Sequence, residues 1–106
     1  MQICPRYEAA MVIIGKRWNG LILRALMDGR KRFKDIRELI PSLSDRMLSE
    51  RFKELEAAGL IVRHVHPETP VRIEYELTEK GKTLKPALDE LQKWAEMWLS
   101  AEAVKK

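Results

Sequence analysis

At 106 residues, 45% hydrophobic and 34% charged, the chain reads as one folded domain with a modest core, to which an oligomer interface would add stability. Its net charge of +4 is uneven: residues 16–53 hold 11 basic against 5 acidic side chains and residues 54–106 hold 8 against 10, so positive charge gathers in one segment, as on a phosphate-binding surface. No apolar run is long enough for a bilayer, residues 1–6 lack the regions of a secretion signal, and a single cysteine excludes an internal disulfide framework, so a membrane-free, reducing cytoplasm is expected.

Pro5 suits the first position of a helix, with Cys4 as its cap. Tyr7, Ala10, Met11 and Ile14 then recur at i, i+3, i+4 and i+7, a single helical stripe. Gly15 interrupts, and Trp18, Leu21, Ile22, Ala25 and Leu26 form a second stripe that Gly29 is placed to end. A basic link, Arg30, Lys31 and Arg32, leads to a third stripe of Phe33, Ile36 and Leu39, which Pro41 stops. Ser44 is an N-cap for a fourth helix carrying Leu48, Phe52 and Leu55, ended by Gly59. The third and fourth helices, joined through residues 40–43, have the spacing of a helix-turn-helix.

The period then changes. Residues 61–65 and 72–77 are rich in β-branched side chains, and Ile73, Tyr75 and Leu77 alternate with Arg72, Glu74 and Glu76. With the proline-bearing loop 66–71 between them, these runs predict a β-hairpin, the wing of a winged helix. Thr78 caps a last helix whose stripe is Leu84, Leu88, Leu91, Ala95 and Trp98, flanked by Trp94 and Leu99. Pro86 either kinks this helix or marks a later start. The expected fold is therefore mainly α with a small β-hairpin (α+β), a single winged helix-turn-helix domain over 1–106. Within it fall N-terminal helices at 1–28, the helix-turn-helix at 33–58, the wing at 61–77 and a C-terminal dimerisation helix at 79–101.

The fourth helix carries the strongest functional pattern. At 100° per residue its apolar side chains cluster together, and Arg46, Ser49, Glu50 and Lys53 fall on the opposite face. A recognition helix reads bases from its N-terminal turns, where Arg46 can offer two donors to a guanine edge and Ser49 can bond a base or phosphate. Ser44 and Asp45 begin that helix, and its free amides suit a phosphate oxygen. On the wing, Arg72 and Arg63 either enter a minor groove or serve as strand-edge charges. Lys16, Arg17 and Arg32, with Arg30 and Lys31, are further phosphate contacts. Tyr7 and Met11 on the first helix and Leu88, Leu91, Trp94 and Trp98 on the last are placed at a dimer interface, although the two tryptophans alternatively pack back on the first helix. Cys4, at a helix start beside Arg6, is either a reactive thiolate open to an oxidant or electrophile, or an inert thiol filling a gap.

Enzyme signals are absent. No glycine-rich phosphate loop occurs, and His64 and His66 share a strand face without an evident third ligand, so no metal, cofactor or catalytic residue is expected. Glu74 and Glu76 share a face as well, which for strand carboxylates ordinarily means solvation or salt bridges.

Over nearly its whole length the sequence resembles the HxlR-type winged-helix regulators, relatives of the MarR group. The likeness rests on Cys4-Pro5, on the run 14–18 leading into 21–23, on 32–36, on 43–49 with 55–61, and on 70–78 with the later Trp94. The resemblance implies a homodimeric transcription regulator on a palindromic duplex operator, paired through its first and last helices. Some family members sense electrophiles or oxidants through a cysteine at the start of the first helix, which points to Cys4. Members that pair this residue with a second cysteine near the C-terminus have no counterpart here, so any disulfide is symmetric. A winged helix used for protein–protein assembly, docking acidic partners, is the alternative.

Overall fold

A proline-set start and a left-handed glycine stop bracket most of the helical chain. In the computed structural model, which describes residues 1–101, the order is α1 (Pro5–Ile14), α2 (Asn19–Ala25), α3 (Phe33–Leu39), α4 (Asp45–Ala57), β1 (Ile61–His66), β2 (Arg72–Leu77), α5 (Glu79–Lys82) and α6 (Lys85–Trp98). Residues 102–106, included in the single-domain expectation, lie outside the described residues.

The α3–turn–α4 unit forms where the sequence places it. Ser44 Oγ accepts a hydrogen bond from the Met47 amide at 3.1 Å and so caps α4. At the other end Gly59 takes φ 76°, and the Leu60 amide donates back to the Leu55 carbonyl at 3.0 Å, closing the helix with a left-handed residue. Leu48, Phe52 and Leu55 are buried, together with Ile36, Ile40 and Leu43 from α3 and its turn. Leu39, expected on the α3 stripe, is exposed; Ile40, one residue later, faces inward instead.

The second stripe is largely in place, with Ile22 and Leu26 buried and Trp18 and Ala25 packed against the core, but its buried face is shifted. Trp18 adopts φ 82°, a left-handed conformation costly for a bulky residue, so α2 begins only at Asn19. The turn rotates the helix, leaving Leu21 exposed while Ile22, Leu23 and Leu26 fill the core. The Arg17 guanidinium lies 4.4 Å from the Trp18 ring centroid.

The hairpin pairs antiparallel, Ile61 opposite Leu77 through His66 opposite Arg72. Tyr75 and Leu77 face the core with Ile61. The basic link is not a free loop: Lys31 bridges to Tyr75, its amide donating to the Tyr75 carbonyl at 3.0 Å and its carbonyl accepting from the Tyr75 amide at 2.8 Å. This non-local pairing adds a third edge to the wing.

The C-terminal helix divides. Thr78 Oγ1 accepts from the Gly81 amide at 3.2 Å to cap the single turn α5, and α6 then starts afresh with Pro86 in its first turn. The expected helix over 79–101 is thus two, because a proline tolerated at a helix start cannot continue a ladder from upstream. Gly81 is required at the join: a Cβ there would stand 2.2 Å from the Leu60 carbonyl oxygen.

Phe52 sits where the layers meet. Its ring stacks on Tyr75 at 3.8 Å between centroids and meets Phe33 edge-on at 6.1 Å, so α3, α4 and β2 share one aromatic contact. The outer helices are less embedded. No residue of α1 is buried, and of α6 only Leu88 is. The radius of gyration, 15.1 Å, exceeds the ~13 Å of a compact domain this long, in keeping with helices that project. Among the described residues no helix is long and apolar enough to cross a membrane.

Candidate nucleic-acid interface

The first turns of α4 stand clear of the protein. The Arg46 side chain is 90% exposed, its nearest carboxylate being Glu50 at 3.5 Å one turn on, an exposed pair that costs little to break. Asp45 is placed differently from its expected role. It accepts from Arg37 of α3 and so brackets the two helices of the motif together. Ser44, its oxygen engaged by the Met47 amide, keeps a hydroxyl proton to donate outward.

Ser49 and Lys53 border a crevice of about 390 Å³ that Phe33, Phe52 and Tyr75 line and Arg63 closes from β1. In the strand register Arg63 lies opposite Tyr75, on the core-side face of the hairpin. The structure therefore brings Ser49, Lys53 and Arg63 together as one group beside α4. Arg32 precedes α3, its amide donating to Asp35 at 2.9 Å, with its side chain exposed.

Lys16 and Arg17 are not brought to that group. Lys16 Nζ donates to Glu54 at 2.9 Å, two turns beyond Arg46, and this contact leads the effects holding the Glu54 carboxyl below the usual range. The Arg17 carbonyl accepts from Arg51 Nε at 3.1 Å. Arg51, which the sequence reading passed over, is buried and bonds both Glu54 oxygens at 3.0 and 3.1 Å, so this knot ties the α1–α2 junction to α4. Its signal was partial: at 100° per residue Arg51 lies about 40° beyond Leu55, on the border of the arc spanned by Leu48, Phe52 and Leu55, where a charge that turns inward needs partners.

The outer face of the hairpin is an ionic ladder. His64 Nε2 lies 2.8 Å from Glu76 and His66 Nε2 2.9 Å from Glu74, while Arg30 approaches the same two carboxylates at 3.4 and 3.6 Å. The His66 and His64 hydrogen bonds are the largest causes holding Glu74 and Glu76, respectively, below the ordinary carboxylate range. Arg72 is drawn into this ladder, bonding Glu68 at 2.9 Å and Glu74 at 3.3 Å.

At the far end, Tyr7, Met11, Leu91, Trp94 and Trp98 are exposed, the tryptophans by 55% and 69%. Both indoles thus present most of their surface to solvent in the isolated chain. Leu88 departs from its expected interface role. Only 8% exposed, it belongs to the monomer core, on the edge of the α6 stripe turned toward α2, where Arg24 also donates to Asp89 at 2.7 Å. Between α2 and α6 runs an apolar groove of about 310 Å³, lined by Ile14, Leu21, Leu88, Leu91 and Ala95 among others. Cys4 is exposed in the extended residue before α1. Although its side chain makes no formal cap, the backbone amides of Tyr7 and then Arg6 favour the thiolate and pull the thiol below its ordinary value.

Comparison with known proteins gives a consistent picture. The profile of the HxlR-like helix-turn-helix family matches residues 13–103. The chain is 54% identical over 98 residues to the HTH-type transcriptional regulator YvaP of Bacillus subtilis, covering 92% of this chain and 91% of that one. It is 53% identical over 96 residues to the regulator YodB of the same organism, covering 91% and 86%. The reduced form of YodB superposes with a TM-score of 0.82, covering 93% of this chain and 97% of that one, and YodB is also known in diamide-treated and quinone-bound forms. The oxidised redox regulator HypR superposes with a TM-score of 0.86 at 38% identity, covering 92% and 100%.

Proposed function

The chain belongs to the HxlR-like helix-turn-helix family and is a DNA-binding transcription regulator, and from that premise we propose that it acts in the cytoplasm as a homodimer on a palindromic duplex operator. The first turns of α4 enter the major groove, with Arg46 reading a base edge and Ser44 and Ser49 bonding phosphate or base. Lys53, Arg63 and Arg32 hold the flanking backbone, and Arg72 reaches the adjacent groove from the wing. The observation carrying this reading is the freedom of Arg46 at the capped start of α4, beside the group of Ser49, Lys53 and Arg63. Base-edge readers need such reach from a rigid element.

Selecting bound duplexes from random oligonucleotides is the direct test. A two-fold symmetric site with half-sites one helical turn apart is expected, bound with an affinity that falls steeply with salt. Exchanging Arg46 for alanine is expected to weaken operator binding by roughly ten- to a hundredfold and to relax one base position in each half-site. Unchanged affinity would remove Arg46 from the readers. If no duplex is retarded even at low salt, the assembly-module reading prevails.

Cys4 is the proposed point of regulation. Its exposure and amide-stabilised thiolate support this, as do the reduced, diamide-treated and quinone-bound forms of a regulator 53% identical. Diamide would take two electrons from a pair of Cys4 thiols across the dimer, forming one disulfide and the hydrazine. A quinone would add the thiolate sulfur to a ring carbon and become a hydroquinone thioether. Diamide treatment followed by a non-reducing gel is expected to give a band of doubled mass that is absent from Cys4→Ser, with altered DNA affinity in the treated wild type only. A lone monomer band together with constant affinity leaves Cys4 a structural residue.

A further inference from the structure

The wing arginine is not free in the unbound protein. Arg72 Nη2 donates to Glu68 at 2.9 Å, and this bond is the largest influence pulling the Glu68 carboxyl down and pushing Arg72 up. Glu74 also accepts from Arg72, at 3.3 Å, but it is shared with His66 at 2.9 Å and with Arg30 at 3.6 Å. Glu68 is thus the carboxylate given chiefly to Arg72. Its place is set by the wing backbone, since the Glu68 amide donates to the His66 carbonyl at 2.7 Å and fixes the loop opposite β2. The cationic neighbourhood extends to Arg32, whose charge also favours ionised Glu68.

Glu68 therefore presents to Arg72 the group that DNA presents: an anionic oxygen at hydrogen-bonding distance from a guanidinium. We propose that Glu68 is an affinity-setting residue of the wing, an internal stand-in for phosphate that occupies Arg72 until a DNA oxygen displaces it. The exchange is one ion pair for another, so Arg72 adds less to binding than an unpaired arginine would. The pair is half exposed, its side chains 30% and 54% accessible, and is weak enough to be exchanged without unfolding the hairpin. The proposal rests on Arg72 touching DNA, and the test separates the two claims.

The experiment is a double-mutant cycle on the operator duplex recovered by selection, with affinities measured for wild type, Glu68→Gln, Arg72→Ala and the double variant. Glu79→Gln on α5 serves as a control for the same change in net charge. Glu68→Gln is expected to tighten binding about two- to fivefold, the scale of one exposed ion pair, and to do nothing in the Arg72→Ala background. A gain that persists without Arg72, or that Glu79→Gln matches, means simple relief of repulsion and overturns the proposal. No gain from Glu68→Gln while Arg72→Ala weakens binding also overturns it, but leaves the DNA contact of Arg72 standing. If Arg72→Ala leaves affinity unchanged in both the wild-type and the Glu68→Gln backgrounds, that contact fails and the proposal with it.

Discussion

Replacing Trp94 and Trp98 together with alanine is expected to give a folded monomer that no longer holds its operator. Both indoles are largely exposed in the isolated chain, so their removal takes little from the monomer core. Alanine also favours the helical conformation of α6. Leu88 and the Arg24–Asp89 ion pair, which dock α6 on α2, are untouched. The loss falls instead on the proposed interface, where truncating a central aromatic anchor commonly costs about 2 kcal/mol or more. Two such losses, about 4 kcal/mol if additive, weaken association roughly a thousandfold. A monomer keeps one recognition helix and forfeits the gain from engaging both half-sites, typically a factor of 10² to 10⁴. Sedimentation should show the halved mass, gel retardation the lost complex, and circular dichroism a retained helical fold. A dimer of unchanged mass would move the interface elsewhere, with the exposed Tyr7 and Met11 face of α1 as the next surface to test.

The helix-turn-helix was legible because its punctuation is local. Ser44, Pro41 and Gly59 act on residues within one turn, and the change from a 3.6 to a 2 period at residue 61 needs no knowledge of the rest of the chain. Three features escaped because their causes are not local. The left-handed turn at Trp18 makes α2 start at Asn19, and tertiary packing then buries Leu23 and leaves Leu21 of the stripe exposed. The bridge between Lys31 and Tyr75 joins residues far apart in sequence, so a segment that reads as a free basic link is a sheet edge. Leu88 and Leu91 belong to one apolar stripe, yet Leu88 is buried and Leu91 exposed, since a stripe says which face is apolar and not what covers each part of it.

The same limit applies to the candidate site. Residue type and helical phase were enough to place Arg46, Ser49 and Lys53 on one outward face. They did not separate cations free to meet DNA from cations already paired. Lys16 is held by Glu54 and Arg72 by Glu68, partners 38 and 4 residues away, and only the folded chain shows which bonds form. Arg51 reverses the case: a charged residue that the helical pattern does not single out is an interior strut, held by the Arg17 carbonyl and the Glu54 carboxylate at the edge of the apolar face.

Phe52→Ala is the substitution expected to cost the most stability. The side chain is about 1% exposed and packs against Phe33 and Tyr75, so deletion of its ring leaves a cavity between α3, α4 and the wing. Phenylalanine-to-alanine changes in cores cost about 3–5 kcal/mol, against a total stability of about 5–15 kcal/mol for a native domain. At about 4–8 °C per kcal/mol for a small domain, the melting temperature should fall by more than about 12 °C. Melting must be compared at one protein concentration, because the proposed dimerisation would add its own stabilisation. Tyr75→Phe keeps the stacked ring and removes only the hydroxyl, so it should melt close to wild type. Phe52→Leu retains apolar volume but not the stack and should fall between the two. The wing should suffer first, since Phe52 is the side chain through which α4 stacks on β2. Hydrogen exchange in Phe52→Leu is therefore expected to quicken across β1 and β2 before it quickens in α2. Uniform acceleration throughout the chain would mean that the ring supports the core as a whole and does not specifically hold the wing to α4.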